Sequence, residues 1–290
     1  MEKMIYIDGL RQISEEYEGY IIDLWGVIHD GIAPYPGAVE CLRQLSDLGK
    51  SVVLLSNAPR RAHVAQASLR NMGIPDHLYT GILTSGEATH QLLRERFQPE
   101  ADPFFNTLGP RVFHIGPDRD RNVIEGLDLI RVERPADADF VLNTGPDDLG
   151  SATDLDSWKP LLHDCVRLAL PMVCANPDLE VLRGTTRLIC AGALTQCYEE
   201  LGGRAVWVGK PAGAVYDRVM AMLSVERSQV LAIGDSLRTD IAGAKSAGIA
   251  SFWVLGGIHG EELGSSKERI EIAAAAAGVA PVACAWSLEW

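Results

Sequence analysis

Short runs of apolar residues recur along the chain, and each run ends in small or polar residues. The runs are apolar throughout and do not alternate with polar positions, which is typical of parallel strands covered on both faces. The pattern therefore predicts buried strands at residues 19–24, 51–57, 81–85, 205–210, 230–235 and 250–256.

Between these runs, apolar residues recur with the spacing of amphipathic helices. Segments 38–45 and 215–223 have this spacing, and the first ends near Gly49, a residue suited to a helix C-cap. Segment 241–248 has it too, and its small residues would allow close approach to a sheet. The alternation of strands and helices predicts an α/β fold with a doubly wound, Rossmann-like parallel sheet.

The alternation restarts between about residues 111 and 204. Segments 112–115, 140–143 and 172–175 have the pattern of strands, and 161–170 has that of a helix. We interpret this block as a second α/β unit inserted into the first. The expected division is a core formed by 1–110 and 205–290, with an inserted domain at 111–204.

Composition and charge exclude several classes of function and localisation. The 290 residues are 47% hydrophobic, and the formal net charge of −13 argues against binding to DNA or RNA, whose phosphates are held by clustered Lys and Arg. The six cysteines show no paired spacing and are expected to be buried, reduced thiols. The first residues lack the pattern of a signal peptide, and the apolar tract at 272–286 is too short to span a bilayer. We therefore expect a cytoplasmic protein without a membrane partner.

Polar residues that can bind or attack a phosphate ester follow the predicted strands. Ligands of open α/β sheets bind beyond the carboxyl ends of the strands, so these side chains should meet. Mg²⁺ prefers carboxylate oxygens and water, and a carboxylate can itself attack phosphorus. Each residue alone is more often a helix cap or a solvated side chain, so the hypothesis depends on the combination. The residues are Asp23, Ser56, Asn57, Lys210, Asp235 and Asp240.

This order of residues resembles the motifs of the haloacid dehalogenase superfamily over nearly the whole chain. The resemblance implies that Asp23 is the nucleophile and that Ser56 and Lys210 are catalytic residues that orient and stabilise the phosphoryl group. Asn57 would support the substrate. The resemblance also implies a Mg²⁺ cofactor, whose ligands would be Asp23, Asp235, Asp240 and the backbone carbonyl of Trp25.

The inserted unit resembles the cap of one branch of that superfamily. It lies between the second and third motifs, as the large cap does in the sugar and nucleotide phosphatases that include the NagD-like enzymes. The segments 35–38 and 176–178 also fit that branch. The resemblance implies that Asn176 and Asp178 face the substrate, although the same residues would also form an Asx turn around Pro177. Caps in this branch often join in dimer contacts, so a homodimer is one expected arrangement.

Trp25 is a departure from the family pattern. The family usually has an aspartate at this position, which protonates the leaving alcohol and later activates water, and an indole can do neither. His29 and Asp30 follow closely and are candidates to replace that aspartate, with His29 placed beside the substrate. The alternative for both residues is a solvent-facing turn that ends at Gly31.

The resulting hypothesis is a Mg²⁺-dependent phosphatase of a small phosphorylated metabolite, of the sugar or nucleotide phosphate class, with an aspartyl-phosphate on Asp23. Because of Trp25, two alternatives stay open. One is a weak or inactive relative that binds a phosphorylated ligand, and the other is a phosphotransferase.

Two glycine-containing segments suggest other ligands but do not fit them. Gly209 and Lys210 lack the preceding glycine and the following Ser or Thr of a P-loop. The segment 255–260 lacks the spacing of a dinucleotide-binding loop, and we interpret it as a strand-to-loop turn beside the active site.

Overall fold

Fourteen strands lie in the part of the chain that the structure, a computed structural model, describes: residues 4–146, 151–183 and 186–290. In chain order the strands are Ile5–Tyr6 (β1), Gly19–Ile22 (β2), Ser51–Ser56 (β3), Gly81–Thr84 (β4), Arg111–Ile115 (β5), Ile130–Val132 (β6), Phe140–Asn143 (β7), Met172–Cys174 (β8), Glu180–Arg183 (β9), Thr186–Ile189 (β10), Ala205–Trp207 (β11), Val230–Gly234 (β12), Ala250–Val254 (β13) and Ala283–Ala285 (β14).

The same residues form ten α-helices, several short 3₁₀ turns and one π-helical turn at Leu237–Ile241. The helices are Ala38–Asp47 (α1), Ala62–Asn71 (α2), Ser85–Glu95 (α3), Pro103–Asn106 (α4), Lys159–Arg167 (α5), Ala191–Glu200 (α6), Gly213–Leu223 (α7), Ala242–Ser246 (α8), Gly260–Leu263 (α9) and Lys267–Ala276 (α10). None of the helices that the structure describes is long and apolar enough to cross a membrane.

The larger sheet has seven strands in the order β1-β14-β13-β12-β2-β3-β4, and all neighbours are parallel. The chain runs outward from β2 through β3 to β4 and later returns to β12 on the other side of β2. The sheet therefore has its topological switch point at β2 and β12, where ligands bind in folds of this kind. Five of the predicted buried strands are confirmed as β2, β3, β4, β12 and β13, with ends that differ by at most two residues.

Alternate residues of the central strands pack into separate cores on the two faces of this sheet. Ile22 and Leu54 belong to one cluster, while Ile21 and Val53 belong to the other. All four are nearly inaccessible to solvent, which explains why these strands are apolar at successive positions and not only at every second one. The doubly wound α/β fold is confirmed.

A second, five-stranded parallel sheet lies between β4 and β12 in the sequence, with the order β11-β8-β7-β5-β6. The inserted α/β unit is thus present, but the expected boundary at residue 205 is wrong for β11. Ala205–Trp207 was expected in the core, yet it pairs with β8 of the second sheet. The return to the seven-stranded sheet comes after Trp207. Residues 147–150 and 184–185 of the expected insert lie outside the described residues.

Several elements were not predicted from the sequence. They include the antiparallel hairpin of β9 and β10, in which Leu182 pairs with Arg187, the edge strands β1 and β6, and the strand β14, which lies between β1 and β13. All six cysteines are buried and unpaired, as expected from their spacing.

Candidate active site

Asp23 directly follows β2 at the carboxyl edge of the larger sheet. Its backbone N–H donates to the carbonyl of Ile233 on β12 at 2.9 Å, which extends the sheet pairing by one residue. The side chain is buried. The two central strands therefore fix the backbone of Asp23 and hold its carboxylate at the switch point of the sheet.

Three carboxylates converge at this position. Oxygens of Asp23, Asp235 and Asp240 lie within 4.8 Å of one another, and all three residues are buried. Asp235 follows β12, and its Oδ2 accepts a hydrogen bond from the backbone N–H of Ile258 at 2.7 Å. Asp240 lies in the π-helical turn, and its Oδ2 accepts from the N–H of Ser236 at 3.1 Å. Backbone donors thus orient two of the three carboxylates.

Gly26 permits this approach of the two acidic loops. Its φ is +86°, and a Cβ atom at this position would lie 2.1 Å from Oδ2 of Asp235. Only glycine combines this backbone conformation with this close contact. The loop after Asp23 can therefore pack directly against the carboxylate of Asp235.

Lys210 supplies the positive charge of the site. Its ammonium nitrogen lies 2.5 Å from Oδ1 of Asp23 and 2.7 Å from Oδ1 of Asp240, and it donates to the carbonyl of Leu55 at 3.0 Å. The lysine was expected to follow a strand of the larger sheet. It follows β11 of the second sheet instead, so the polypeptide that leaves the inserted unit carries Lys210 into the site.

The charges in this site do not balance. Burial raises the pKa of Asp23 to about 7, against the attraction of Lys210, and burial together with the charges of Asp23 and Asp240 raises the pKa of Asp235. Burial would lower the pKa of Lys210, but Asp23 and Asp240 outweigh burial and raise it, so the lysine stays charged. Three buried carboxylates against one ammonium favour an added cation, and oxygen donors at this spacing fit Mg²⁺.

The backbone on both sides of Trp25 is hydrogen-bonded within this loop. It forms a parallel bridge with His29, in which the carbonyl of Leu24 accepts from the N–H of His29 and the N–H of Gly26 donates to the carbonyl of His29. The bridge uses the neighbours of Trp25, so the carbonyl of Trp25 takes no part in it. This arrangement is compatible with the predicted carbonyl ligand.

Ser56 and Asn57 follow β3 and are buried beside Lys210. The Oγ of Ser56 accepts from the N–H of Ala58 at 3.2 Å. Oδ1 of Asn57 accepts from the backbone N–H of Lys210 at 2.8 Å, and Nδ2 donates to Oδ1 of Asp178 at 2.9 Å. Asn57 therefore joins the two units of the chain, and its direct contact with substrate stays a prediction.

Asn176 and Asp178 lie in the loop after β8. Oδ1 of Asn176 accepts from the N–H of Asp178 at 3.1 Å, which is the Asx turn that was the alternative for this segment. Burial raises the pKa of Asp178, against the attraction of Lys210. The carboxyl group of Asp178 thus lies near the charges of the site, while Asn176 stabilises the turn that places it there.

His29 and Asp30 do not provide an evident replacement for an aspartate at position 25. Nδ1 of the buried His29 accepts from the N–H of Gly31 at 3.0 Å, and burial lowers the pKa of His29 to about 4, so the ring is neutral near pH 7. Oδ1 of Asp30 accepts from the N–H groups of Ile32 and Ala33 at 2.8 Å each. Asp30 therefore stabilises the turn, and the contact of His29 with substrate stays a prediction.

Sequence reasoning missed contacts that depend on the backbone. Ile258, which orients Asp235, lies in the glycine-containing segment interpreted as a turn beside the active site, and its position agrees with that interpretation. Arg238 donates to the carbonyl of Pro177 at 2.5 Å, and the hydroxyl of Tyr216 donates to the carbonyl of Asp240 at 3.1 Å. Both acceptors are carbonyl groups, so no residue type at these positions could have revealed the contacts.

An open parallel sheet, carboxylates and a lysine at its switch point and an inserted α/β unit together define a capped phosphohydrolase. Two family models match the chain: one described as haloacid dehalogenase-like hydrolase at residues 20–130, and one described as HAD-hydrolase-like at residues 207–280. The chain belongs to the haloacid dehalogenase superfamily, in the class of NagD-like capped phosphatases.

Individual relatives cover most of the chain. The D-glycerol 3-phosphate phosphatase of Mycobacterium tuberculosis is 29% identical, over 86% of this chain and 66% of its own length. The ribonucleotide monophosphatase NagD of Escherichia coli is 26% identical, over 82% of this chain and 87% of its own. A crystal structure of a haloacid dehalogenase-like hydrolase from Brucella suis matches with a TM-score of 0.82 and 29% identity, over 97% of this chain and 99% of that one.

Proposed function

We propose that the protein is a Mg²⁺-dependent phosphatase of small phosphorylated metabolites and that it forms an aspartyl-phosphate on Asp23. The observation that supports this proposal most strongly is the buried contact of Asp23 with Lys210 beside Asp235 and Asp240. A structural aspartate would gain little from a site with two further carboxylates. A nucleophile for a phosphate dianion needs such a site, because ammonium and metal charges offset the repulsion between the two anions.

In the first half-reaction, a carboxylate oxygen of Asp23 attacks phosphorus and the bond from phosphorus to the ester oxygen breaks. The ester oxygen leaves with the electrons of that bond and takes a proton from solvent water, so the leaving group departs as the alcohol. Lys210 and Ser56 orient the phosphoryl oxygens during the transfer. In the second half-reaction, water attacks the same phosphorus, the bond to Asp23 breaks, and phosphate and the free carboxylate result.

The chain would hold the metal mainly through Asp23, Asp235 and the carbonyl of Trp25. Bound Mg²⁺ would neutralise negative charge on the phosphoryl group. Asp240 already contacts Lys210 with one oxygen and the N–H of Ser236 with the other. We therefore assign Asp240 to the acidic site mainly as the residue that orients Lys210 and adds negative charge beside the metal.

Trp25 favours a second candidate function, phosphoryl transfer to an acceptor other than water. Trp25 has no group that can take a proton from water, and general acid–base catalysis is typically worth about 10²–10⁴-fold in rate. The phosphoenzyme would then persist long enough to react with an alcohol. Product analysis with added glycerol separates the two functions, because transfer yields glycerol phosphate and hydrolysis yields inorganic phosphate.

The substrate class rests on the relatives. The names of two of them refer to a ribonucleotide monophosphate and to D-glycerol 3-phosphate, which are both small phosphate monoesters. We extend only this shared class to the present chain. A panel of sugar, nucleotide and polyol phosphates would identify the preferred member.

Turnover of p-nitrophenyl phosphate with and without Mg²⁺ tests the proposal. We expect turnover that depends on Mg²⁺ and is abolished by Asp23→Asn. Asp217→Asn, at an exposed carboxylate that contacts Arg227, serves as a matched control and should retain activity. Turnover that persists without Mg²⁺ or in Asp23→Asn would refute the assignment. Binding of a phosphorylated ligand without any turnover would support a non-catalytic binding protein.

A further inference from the structure

The hairpin of β9 and β10 belongs to the inserted unit but contacts two loops of the larger sheet. Leu182 and Arg187 are direct partners across the hairpin. The carbonyl of Leu182 accepts a hydrogen bond from the indole N–H of Trp25 at 2.6 Å. Trp25 lies two residues after Asp23, so this contact connects the hairpin to the loop of the proposed nucleophile.

The indole ring of Trp25 is held in this orientation from two sides. It packs edge-on against His29, with ring centroids 5.5 Å apart. It also covers Gly31, where a Cβ atom would lie 2.2 Å from the ring and where φ is +86°. The position of the N–H group is therefore set by the loop of the larger sheet, and the hairpin carbonyl meets a preorganised donor.

Arg187 connects the other strand of the hairpin to the loop that orients Asp235. Its guanidinium pairs with Glu180 of the same hairpin, donates to the carbonyl of Ile258 at 3.5 Å and lies 3.9 Å from a carboxylate oxygen of Glu262. The N–H of the same residue, Ile258, donates to Oδ2 of Asp235. One residue of the loop thus contacts the hairpin through its carbonyl and the acidic site through its N–H.

We propose that the hairpin pair Leu182 and Arg187 clasps the inserted unit onto the loops that carry Asp23 and Asp235, and that docking of the hairpin and binding of Mg²⁺ stabilise each other. Trp25 and Arg187 are positioning residues in this arrangement. The Mg²⁺ part rests on the proposed function, whereas the clasp does not. Coupling between two binding events is reciprocal, so a weaker clasp must weaken Mg²⁺ binding and bound Mg²⁺ must tighten the clasp.

Two measurements on the full chain test the proposal: amide hydrogen exchange of the hairpin strands, and calorimetric titration of the metal-free protein with MgCl₂. The variants are Trp25→Phe, which keeps the ring and loses the N–H group, and Arg187→Met. The control is Trp207→Phe, which removes an indole N–H that donates to Glu199 within the inserted unit at 3.2 Å. Exchange in β12 serves as the check on global folding.

We expect faster exchange of the hairpin in Trp25→Phe and Arg187→Met, unchanged exchange in β12, and a Mg²⁺ dissociation constant raised roughly 5-fold or more. Saturating MgCl₂ should slow hairpin exchange in the wild type, and Trp207→Phe should behave as the wild type does. Unchanged hairpin exchange in Trp25→Phe would overturn the clasp, and so would exchange in Arg187→Met no faster than in Glu180→Gln, which loses only the ion pair within the hairpin. Faster exchange with unchanged Mg²⁺ affinity would overturn the coupling, and no Mg²⁺ binding by the wild type would overturn the proposed function and leave the clasp standing.

Discussion

Replacing Lys210 by methionine removes the positive charge between Asp23 and Asp240 and keeps a side chain of similar length. The ammonium group lies 2.5 Å from one carboxylate and 2.7 Å from the other, and all three residues are buried. Loss of one partner from a buried ion pair costs about 3–5 kcal/mol, because the remaining charge has no compensation. We expect the free energy of unfolding of the metal-free protein to fall by about this amount at pH 8.

The size of this effect should depend on pH. Burial raises the pKa of Asp23 from 3.8 to about 7 while Lys210 opposes the shift, so removal of the lysine moves the pKa higher still. A carboxyl group with a raised pKa in the folded state stabilises the fold below its unfolded pKa, and that contribution is lost as pH rises through the folded pKa. The difference in stability between Lys210→Met and wild type should therefore be larger at pH 8 than at pH 5.

Urea unfolding followed by circular dichroism, in EDTA at both pH values, measures these differences. Lys159→Met is the matched control, because Lys159 pairs with Asp156 at 2.6 Å on the exposed surface, where solvent screens the charges. An equal loss of stability at pH 5 and pH 8, or a loss no greater than that of the control, would show that Lys210 does not compensate the charge of the buried carboxylates.

Three further predictions follow from the same site. Mg²⁺ should raise the thermal unfolding temperature of the wild type more at pH 8 than at pH 5, because burial raises the pKa of Asp23 to about 7 and binding at pH 5 must displace its proton; an equal shift in scanning calorimetry would contradict this. Gly26→Ala should abolish the stabilisation by Mg²⁺, since its Cβ would meet Asp235, whereas Gly73→Ala, at a similar positive φ but in open space, should retain it in the same calorimetric scan. Trp25→Asp should speed hydrolysis of the phosphoenzyme and diminish the burst in a stopped-flow assay with p-nitrophenyl phosphate, because a carboxylate can activate water; an unchanged burst would show that proton transfer does not limit turnover.

The acidic part of the site could be predicted because it follows from the sheet. β2 and β12 are apolar at successive positions, which marks them as central parallel strands, and parallel strands place the residues after them at one edge. Asp23 and Asp235 directly follow these strands. Their convergence therefore required only the strand assignment and the rule for ligand sites in open sheets.

The sheet from which the chain enters the site at Lys210 could not be predicted in the same way. Ala205–Trp207 is a strand of three half-buried residues, and its pattern does not distinguish an edge of the second sheet from a member of the first. Lys210 reaches the site because the chain crosses from one unit to the other immediately before it. From the sequence, Lys210 could be assigned to the site only because it resembles the lysine of a family motif.

The clasp was also beyond sequence reasoning. Trp25 marked a departure from the family pattern, but its acceptor is the backbone carbonyl of Leu182, and any residue at position 182 could supply that carbonyl. The strands of the hairpin are short and half exposed, so they lack the apolar pattern that identified the buried strands. The role of the indole became visible only when the two units were placed together.

If Asp23 accepts the phosphoryl group, a covalent phosphoenzyme forms on Asp23 during turnover and can be trapped. The enzyme would be mixed with p-nitrophenyl phosphate and MgCl₂, quenched in acid, digested and analysed by mass spectrometry. We expect one phosphoryl group on the peptide that contains Asp23 and none in Asp23→Asn or in EDTA. A phosphoryl group on another residue, or Mg²⁺-dependent turnover without any covalent intermediate, would show that Asp23 is not the acceptor.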